Sequence, residues 1–293
     1  MSYQPLKPSA NGRTHRVAIV VPLSNRAELF PDEEISLRHL LYYLGRYDKY
    51  LVIPETLELT IPGFRYARFG PEFFGSAAAN TRLMLSAAFY ERFREYEYIL
   101  VYHPDALVFS DQLEEWCDAG YDYIGPPWFP DDDMPWVTEP GVGNGGFCLR
   151  KVESCLKVLR SPRYAIDPDD YGRRLPNDSL INRLANYPRK YLKHLHYFNN
   201  VQREIARFRQ NEDLFWSWRA THYYPDFRIA PVDVAMRFAF EGAPRLCYRE
   251  IGGKLPFGCH AWPKYDRAFW EPYLLQPNGR AAQNENHRNM EAL

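Results

Sequence analysis

The chain has no long apolar run, no closely spaced cysteine pair and no excess of either charge, and each absence excludes something. Its longest apolar stretch, Val17 to Val21 continuing through Pro22 to Leu23, is far short of the roughly 18–20 residues that cross a bilayer. Any membrane contact is therefore expected to be peripheral. Five cysteines among 293 residues (Cys117, Cys148, Cys155, Cys247 and Cys259) form no Cys-x-x-Cys. An odd, scattered set suits thiols in a reducing compartment better than a disulfide framework. The opening MSYQPLKPSANGRTHR lacks the apolar core of a signal peptide, so residues 1–15 read as a polar tail and the expected location is cytoplasmic. Lys and Arg (36) balance Asp and Glu (37) at a net charge of −1. That leaves no basic field for a phosphate backbone, and nucleic acid is not an expected partner. Gly and Pro, at 17 and 24 residues, stay below the roughly 25–30% of low-complexity chains. No internal repeat and no Gly-x-x-x-x-Gly-Lys loop is present, which disfavours an ordinary kinase or NTPase.

What is present in quantity is aromatic: 7 Trp, 22 Tyr and 18 Phe, within 46% hydrophobic and 25% charged residues. That composition fills a sizeable core, and the length suits one large α/β domain or two small ones. Val17–Pro22 is a β-branched run of the kind buried on both faces of a sheet. A helix is expected next, with Asp32, Glu33 and Glu34 in its first turn and an apolar stripe through Leu44 to Gly45. Tyr50–Ile53 then makes a second strand, giving a β-α-β unit with parallel strands. Phe64–Phe69 is a third strand, Ser76–Phe93 a helix and Tyr98–Tyr102 a buried strand that runs into His103-Pro104-Asp105. Asp111 is expected to cap a helix ended by Gly120, Tyr121–Ile124 alternates like a strand, and residues 125–146 form a Gly/Pro/Asp-rich loop. Phe147–Leu149 returns to strand and Lys151–Leu159 to helix. The stretch 177–210 reads as a helical insertion whose 183–209 portion is basic. Such a face is either solvated or rests on an anionic membrane or an acidic partner. Residues 276–293 read as a second polar tail.

In an open α/β sheet, ligands gather beyond the carboxyl ends of the parallel strands. Asp105 falls at such an end, where a carboxylate is either a ligand group or a turn residue bonding its own backbone. The order Tyr98-Ile-Leu-Val-Tyr-His103-Pro-Asp105-Ala-Leu-Val-Phe109 resembles the segment that carries the Asp-x-Asp motif of GT-A glycosyltransferases. Asp105 matches the second acid and His103 replaces the first. Gly143-Asn144-Gly145-Gly146-Phe147 resembles the glycine-rich acceptor-side turn of that fold. Asn211-Glu212-Asp213-Leu214 resembles the acidic pair that opens a helix in inverting members, and Pro256-Phe-Gly-Cys-His260-Ala-Trp262-Pro-Lys264 the late His segment. The Tyr-Asp-Tyr-Ile-Gly, Asn-Gly-Gly-Phe and Pro-Phe-Gly-x-His segments also resemble those of an uncharacterised bacterial family associated with polysaccharide biosynthesis.

The resemblance implies a single GT-A-like, Rossmann-like domain over residues 16–275, a mixed and mostly parallel sheet flanked by helices. It also implies transfer of a sugar from a UDP- or GDP-linked donor to a glycan or lipid-linked glycan acceptor, metal-assisted and inverting. Asp105, His260 and His103 are the implied ligands of Mn²⁺ or Mg²⁺, and the His at the first-acid position leaves the ligand count open. Asp213 or Glu212 is the expected base, kept ionised by the dipole of a helix capped by Asn211. Pro22, Arg26, Arg82 and Lys264 are donor-binding candidates. Trp128, Asn144, Gly145, Gly146 and Trp262 are acceptor-side candidates, and Trp136 and Trp216 also stand beside these loops, although most Trp are packing residues. The alternatives are a nucleotide-sugar hydrolase, a nucleotidyltransferase or a catalytically silent carbohydrate-binding protein.

Other patterns are weaker. Gly141-Val-Gly143-Asn-Gly145-Gly146 formally matches Gly-x-Gly-x-x-Gly but leads into a strand, not out of one into a helix. Asp131-Asp132-Asp133 reads as a solvated loop, and His194-Leu-His196 lacks partners for zinc.

Overall fold

The computed structural model describes residues 16–130, 137–174 and 179–277. Eleven strands are present among them: β1 (Val17–Pro22), β2 (Asp48–Pro54), β3 (Arg65–Phe69), β4 (Tyr98–Tyr102), β5 (Leu107–Val108), β6 (Tyr123–Ile124), β7 (Pro127–Trp128), β8 (Gly141–Val142), β9 (Phe147–Lys151), β10 (Ala239–Phe240) and β11 (Gly258–Cys259). Six of them form the central sheet in the order β3-β2-β1-β4-β9-β6. β3, β2, β1 and β4 run parallel, and β9 pairs antiparallel with both β4 and β6. The result is the expected mixed, mostly parallel α/β layout.

Period-two alternation explains why β1 sits centrally. Val17, Ile19 and Val21 pack on one face with Leu37, Leu40 and Leu44 of the helix Pro31–Leu44. Ala18 and Val20 pack on the other with Met84, Phe89 and Phe93. Both faces are dry, so a continuous apolar strand is the only kind that fits. At about 1.5–3 kcal/mol for each fully buried large aliphatic side chain, this strand alone secures much of the sheet.

Local details depart from the sequence reading for identifiable reasons. The helix expected over Ser76–Phe93 is two helices, Ala77–Met84 and Ala87–Arg92. The break occurs where the Ser86 hydroxyl accepts from the Phe89 amide (3.2 Å) and so caps a new helix. Asp111 does not cap the helix Leu113–Asp118, because it is engaged by Arg46 (3.2 Å) and Tyr47 (3.2 Å) instead. The loop 125–146 contains the two-stranded ribbon β7–β8. The insertion holds the helices Leu180–Lys193 and Val201–Ile205. All five cysteines are free and buried, and no described helix is long and apolar enough to cross a membrane. The 1–15 tail, the Asp131–Asp133 run and Trp136 lie outside the described residues, as does the second tail beyond residue 277.

A second, three-stranded sheet in the order β10-β11-β5 matters most for the site. β10 and β11 are parallel and β5 is antiparallel to β11, with Phe240 opposite Cys259 and Cys259 opposite Leu107. The residues just past β10 and β11, Glu241 and His260, are thereby brought level with the residues just before β5, which include Asp105.

Candidate active site

The sheet order reverses between β1 and β4, the place where an open α/β sheet leaves a crevice at its carboxyl edge. A cleft of about 450 Å³ lies there. Its walls include Pro22 to Asn25 from the end of β1, His103 from the end of β4, and Ser76, Asn80 and Thr81 around the helix that starts at Ala77. Asn144, Gly145 and Gly146, the start of the helix Glu212–Tyr223, and the pair Glu241 and His260 complete it.

At one end, ligating atoms of His103, Asp105 and His260 all lie within 4.8 Å of one another. His260 Nε2 is 3.3 Å from Asp105 Oδ1, and its Nδ1 is 3.3 Å from Glu241 Oε2, off the line of a hydrogen bond. Burial works against a charge on His260, yet Glu241 and Asp105 raise its pKa well above the ordinary value. Burial tends to raise the carboxyl of Asp105, but His260 and then His103 hold it well below the usual range. Burial and the neighbouring His260 push His103 down to about 4, so it is neutral. Its Nε2 is buried without a hydrogen-bond partner. A neutral imidazole with an unsatisfied nitrogen beside an ionised carboxylate is a ready pair of metal ligands. Glu241 behind His260 is the carboxylate that commonly orients a ligating histidine.

The opposite wall is built on a buried charge pair. Arg150, on β9, is fully buried, and its Nη2 donates to Glu212 Oε1 at 2.7 Å. Its Nη1 donates to the Tyr90 hydroxyl at 3.0 Å, and its guanidinium lies 5.5 Å from the Tyr123 ring centroid. Glu212 is thus committed to Arg150. Among the described residues, the hydrogen-bond partner of its neighbour Asp213 is the Leu214 amide, at 2.9 Å. Burial and the adjacent Glu212 charge raise Asp213 to about 7, overcoming the helix dipole that was expected to keep it ionised. Asn211 occupies the cap position but makes no side-chain capping bond. Because Asp213 holds its proton to higher pH in the fold than in the open chain, it withdraws stability as pH rises from about 4 to about 7. Removing one member of the buried pair strands the other. Arg150→Ala and Glu212→Ala are each expected to cost about 3–5 kcal/mol of stability, read from denaturant midpoints.

The turn between these walls must be free of side chains. A Cβ on Gly145 would stand 2.0 Å from Glu212 Oε1, and one on Gly146 would stand 1.9 Å from His260 Nε2. Asn144 enters the turn at φ 57°, a left-handed conformation that Asn tolerates. The Gly146 carbonyl accepts from the His103 amide at 2.7 Å, locking the turn to the end of β4.

The structure thus gathers His103, Asp105, His260, Glu212, Asp213, Asn144, Gly145, Gly146 and Pro22 at one place. It puts the remaining candidates elsewhere. Arg26 is held by Glu33 and lies over the Phe30 ring, while Arg82 donates to the Glu72 carbonyl at 2.7 Å. Lys264 donates to the Tyr265 hydroxyl at 2.7 Å, outside the cleft wall but within the field of Glu241 and Asp105. Trp262 is fully buried with its indole N–H on Ser36 Oγ at 3.1 Å, and Trp216 is packed against Tyr90 and Phe227. Trp128 covers the β7–β8 ribbon and packs with Ala261 and Tyr265.

Sequence reasoning missed Glu241 and Arg150. Glu241 follows the apolar Ala239-Phe240 much as the His103–Asp105 turn follows β4, which is a usable signal. Arg150 shares a strand face with Cys148, two residues away, and a charge in that inward phase requires a buried partner.

Comparison with other proteins adds a family. A family model described as "Protein of unknown function (DUF5672)" matches residues 63–260, most of the chain. The chain belongs to the DUF5672 family. The match takes in Asp105, the Asn144 to Gly146 turn, Glu212, Asp213, Glu241 and His260, whereas Pro22 to Asn25 precede it. No curated protein matches the chain. Among solved structures it is similar to the apo-form glycosyltransferase GlyE of Streptococcus pneumoniae TIGR4. That match has 13% identity and a TM-score of 0.43, covering 94% of this chain and 64% of that one. It is also similar to the S. cerevisiae mannosyltransferase Ktr4p in complex with GDP, with 11% identity and a TM-score of 0.35, covering 48% of this chain and 57% of that one. In both cases the match spans less than two thirds of the other protein.

Proposed function

We propose that this DUF5672 protein transfers a sugar from a nucleoside-diphosphate donor to a hydroxyl acceptor, with a divalent cation and with inversion. The observation that carries the reading is the charge of the cleft. Its wall contains Asp213 and Glu241, with Asp105 behind and with Glu212 already paired to Arg150, and neither Lys nor Arg lines it among the described residues. A diphosphate would meet carboxylates and a single imidazolium there, an unfavourable encounter unless a cation intervenes. His103 and Asp105 at the carboxyl end of β4, with His260 from the end of β11, fit a cation where a diphosphate would sit, His260 giving up its proton as it ligates. Two imidazoles and a carboxylate favour Mn²⁺ over Mg²⁺, which prefers oxygen ligands. When bound, such an ion supplies Lewis-acid neutralisation of charge on the departing diphosphate.

The protein's own part is positioning and proton transfer. Asp213, whose carboxyl ionises near neutrality, is suited to take the proton of the attacking hydroxyl. As the new C1–O bond forms on one face of the sugar, the C1–O bond to the diphosphate breaks on the other, which inverts the anomeric centre. Glu212 and Arg150 fix the start of the Asp213 helix. Glu241, 3.3 Å from His260 Nδ1, supplies the negative charge behind that ring. The polar Ser24, Asn25 and Asn80 offer hydrogen bonds to donor or acceptor hydroxyls.

The test is release of UDP or GDP from a panel of nucleotide sugars with Mn²⁺, with and without simple glycoside acceptors. Release that needs both acceptor and metal is expected. Equal release without acceptor would instead make the protein a hydrolase, and binding without release would make it a carbohydrate-binding protein.

A further inference from the structure

The three groups that fit a cation reach the cleft on two separate segments. His103 and Asp105 lie on the turn between β4 and β5, and His260 follows β11. The segments meet along the ladder of β5 with β11, and the Trp262 amide donates to the Asp105 carbonyl at 3.2 Å. Ligating atoms that must stay within 4.8 Å of one another need both segments fixed to a rigid element behind them.

The helix Pro31–Leu44 is that element, and Ser36 on it touches both segments while fully buried. Its carbonyl accepts from the Tyr102 hydroxyl at 2.8 Å, and the same hydroxyl reaches the Ala106 carbonyl at 2.9 Å. One phenol therefore clasps the His103–Asp105 turn from the residue before it to the residue after it. The Ser36 Oγ accepts from the Trp262 indole N–H at 3.1 Å, two residues past His260. The helix reinforces both grips. His39 donates from Nδ1 to the Val108 carbonyl of β5 at 2.9 Å, and Arg267, paired with Asp32 at 2.8 and 3.0 Å, lies 4.7 Å from the Trp262 ring centroid. Tyr102 and Trp262 are fully buried, so displacing either segment would leave a buried donor unpaired, at about 1–3 kcal/mol.

We propose that Ser36 is a positioning residue for the cation site, holding the Asp105 turn through Tyr102 and the His260 segment through Trp262, so that the ligating groups stand at cation spacing before an ion arrives. The inference rests on the reading of His103, Asp105 and His260 as cation ligands. Ser36 does not line the cleft and acts only through its two contacts. Without them an arriving ion would have to order the two segments itself, and that ordering subtracts from its affinity.

The test is Mn²⁺ titration of the full chain without donor or acceptor, read from the paramagnetic resonance signal of the free ion, alongside thermal melts without metal. Ser36→Ala and Tyr102→Phe are each expected to weaken Mn²⁺ binding about ten- to a hundredfold, the range for groups that stand behind metal ligands. Both substitutions keep the packed carbon skeleton, so both variants should still melt cooperatively. Ser161→Ala is the control. It removes a buried hydroxyl that donates to the Tyr223 carbonyl at 2.8 Å and does not line the cleft, so it should lower the melting temperature comparably and leave Mn²⁺ affinity unchanged. Wild-type affinity in Ser36→Ala and Tyr102→Phe would overturn the proposal and leave the cation reading standing. Equal weakening in Ser161→Ala would overturn it too, by reducing the effect to general stability. Wild-type protein that binds no Mn²⁺ would overturn the cation reading and this inference with it.

Discussion

Asp105→Ala is expected to lower acceptor-dependent turnover by at least about a thousandfold while the protein stays folded. Asp105 stands on the short turn between β4 and β5 with its side chain 44% exposed, and its ion-pair partner is His260 at 3.3 Å. Its ion pair with His260 contributes some stability, so the melting temperature should fall modestly while the transition stays cooperative. The loss follows from its place among the three groups that would hold a cation against the diphosphate. Lewis-acid stabilisation there amounts to several kcal/mol, and each 1.36 kcal/mol is tenfold in rate. His260 should respond as well. Without the Asp105 charge its imidazolium is less favoured, leaving Glu241 as its remaining anionic neighbour. Initial rates with Mn²⁺ and a thermal melt check both halves of the expectation, and full activity in the variant would remove Asp105 from the reaction.

Asp213→Asn should cost about 10²- to 10⁴-fold in kcat with little change in the donor KM, the range typical of a lost general base. The pH dependence gives a sharper signature. A base acts in its ionised form, and the carboxyl of Asp213 is raised to about 7 by burial and by Glu212. Wild-type kcat/KM should therefore rise about tenfold per pH unit below 7 and level off above it. The variant should lose that limb. Glu212→Gln is the informative contrast, because Glu212 is tied to buried Arg150 at 2.7 Å and its replacement should register chiefly as lost stability. A neutral-pH limb that persists in Asp213→Asn and disappears in Glu212→Gln would exchange the two roles.

Much of the frame was legible because its signals are periodic. The β-branched run at Val17–Pro22 and the apolar run at Tyr98–Tyr102 admit few other readings, and together they place the crevice at the carboxyl ends of β1 and β4. The turn at Gly145 and Gly146 was legible as a turn, but its cause lies in Glu212 and His260, which approach it from more than sixty residues away. Arg150 and Glu241 were missed for the same reason. A strand arginine acquires meaning only when a glutamate 62 residues later reaches it, and Glu241 only when the small sheet sets β10 beside β11. The tryptophans misdirected the reading in the opposite sense. Trp262 and Trp216 stand next to site segments in sequence, but bulky aromatics beside a tightly built turn are the residues that pack behind it.

The central claim is that the cleft between β1 and β4 seats a nucleoside diphosphate against a cation held by His103, Asp105 and His260. A crystal structure with a turned-over nucleotide sugar or its diphosphate product and Mn²⁺, phased to locate manganese by anomalous scattering, tests it most directly. The account predicts a manganese peak among those three side chains, with the diphosphate beside it and Asp213 facing the sugar position. Manganese or diphosphate bound on another face, with this cleft left to solvent, would contradict it.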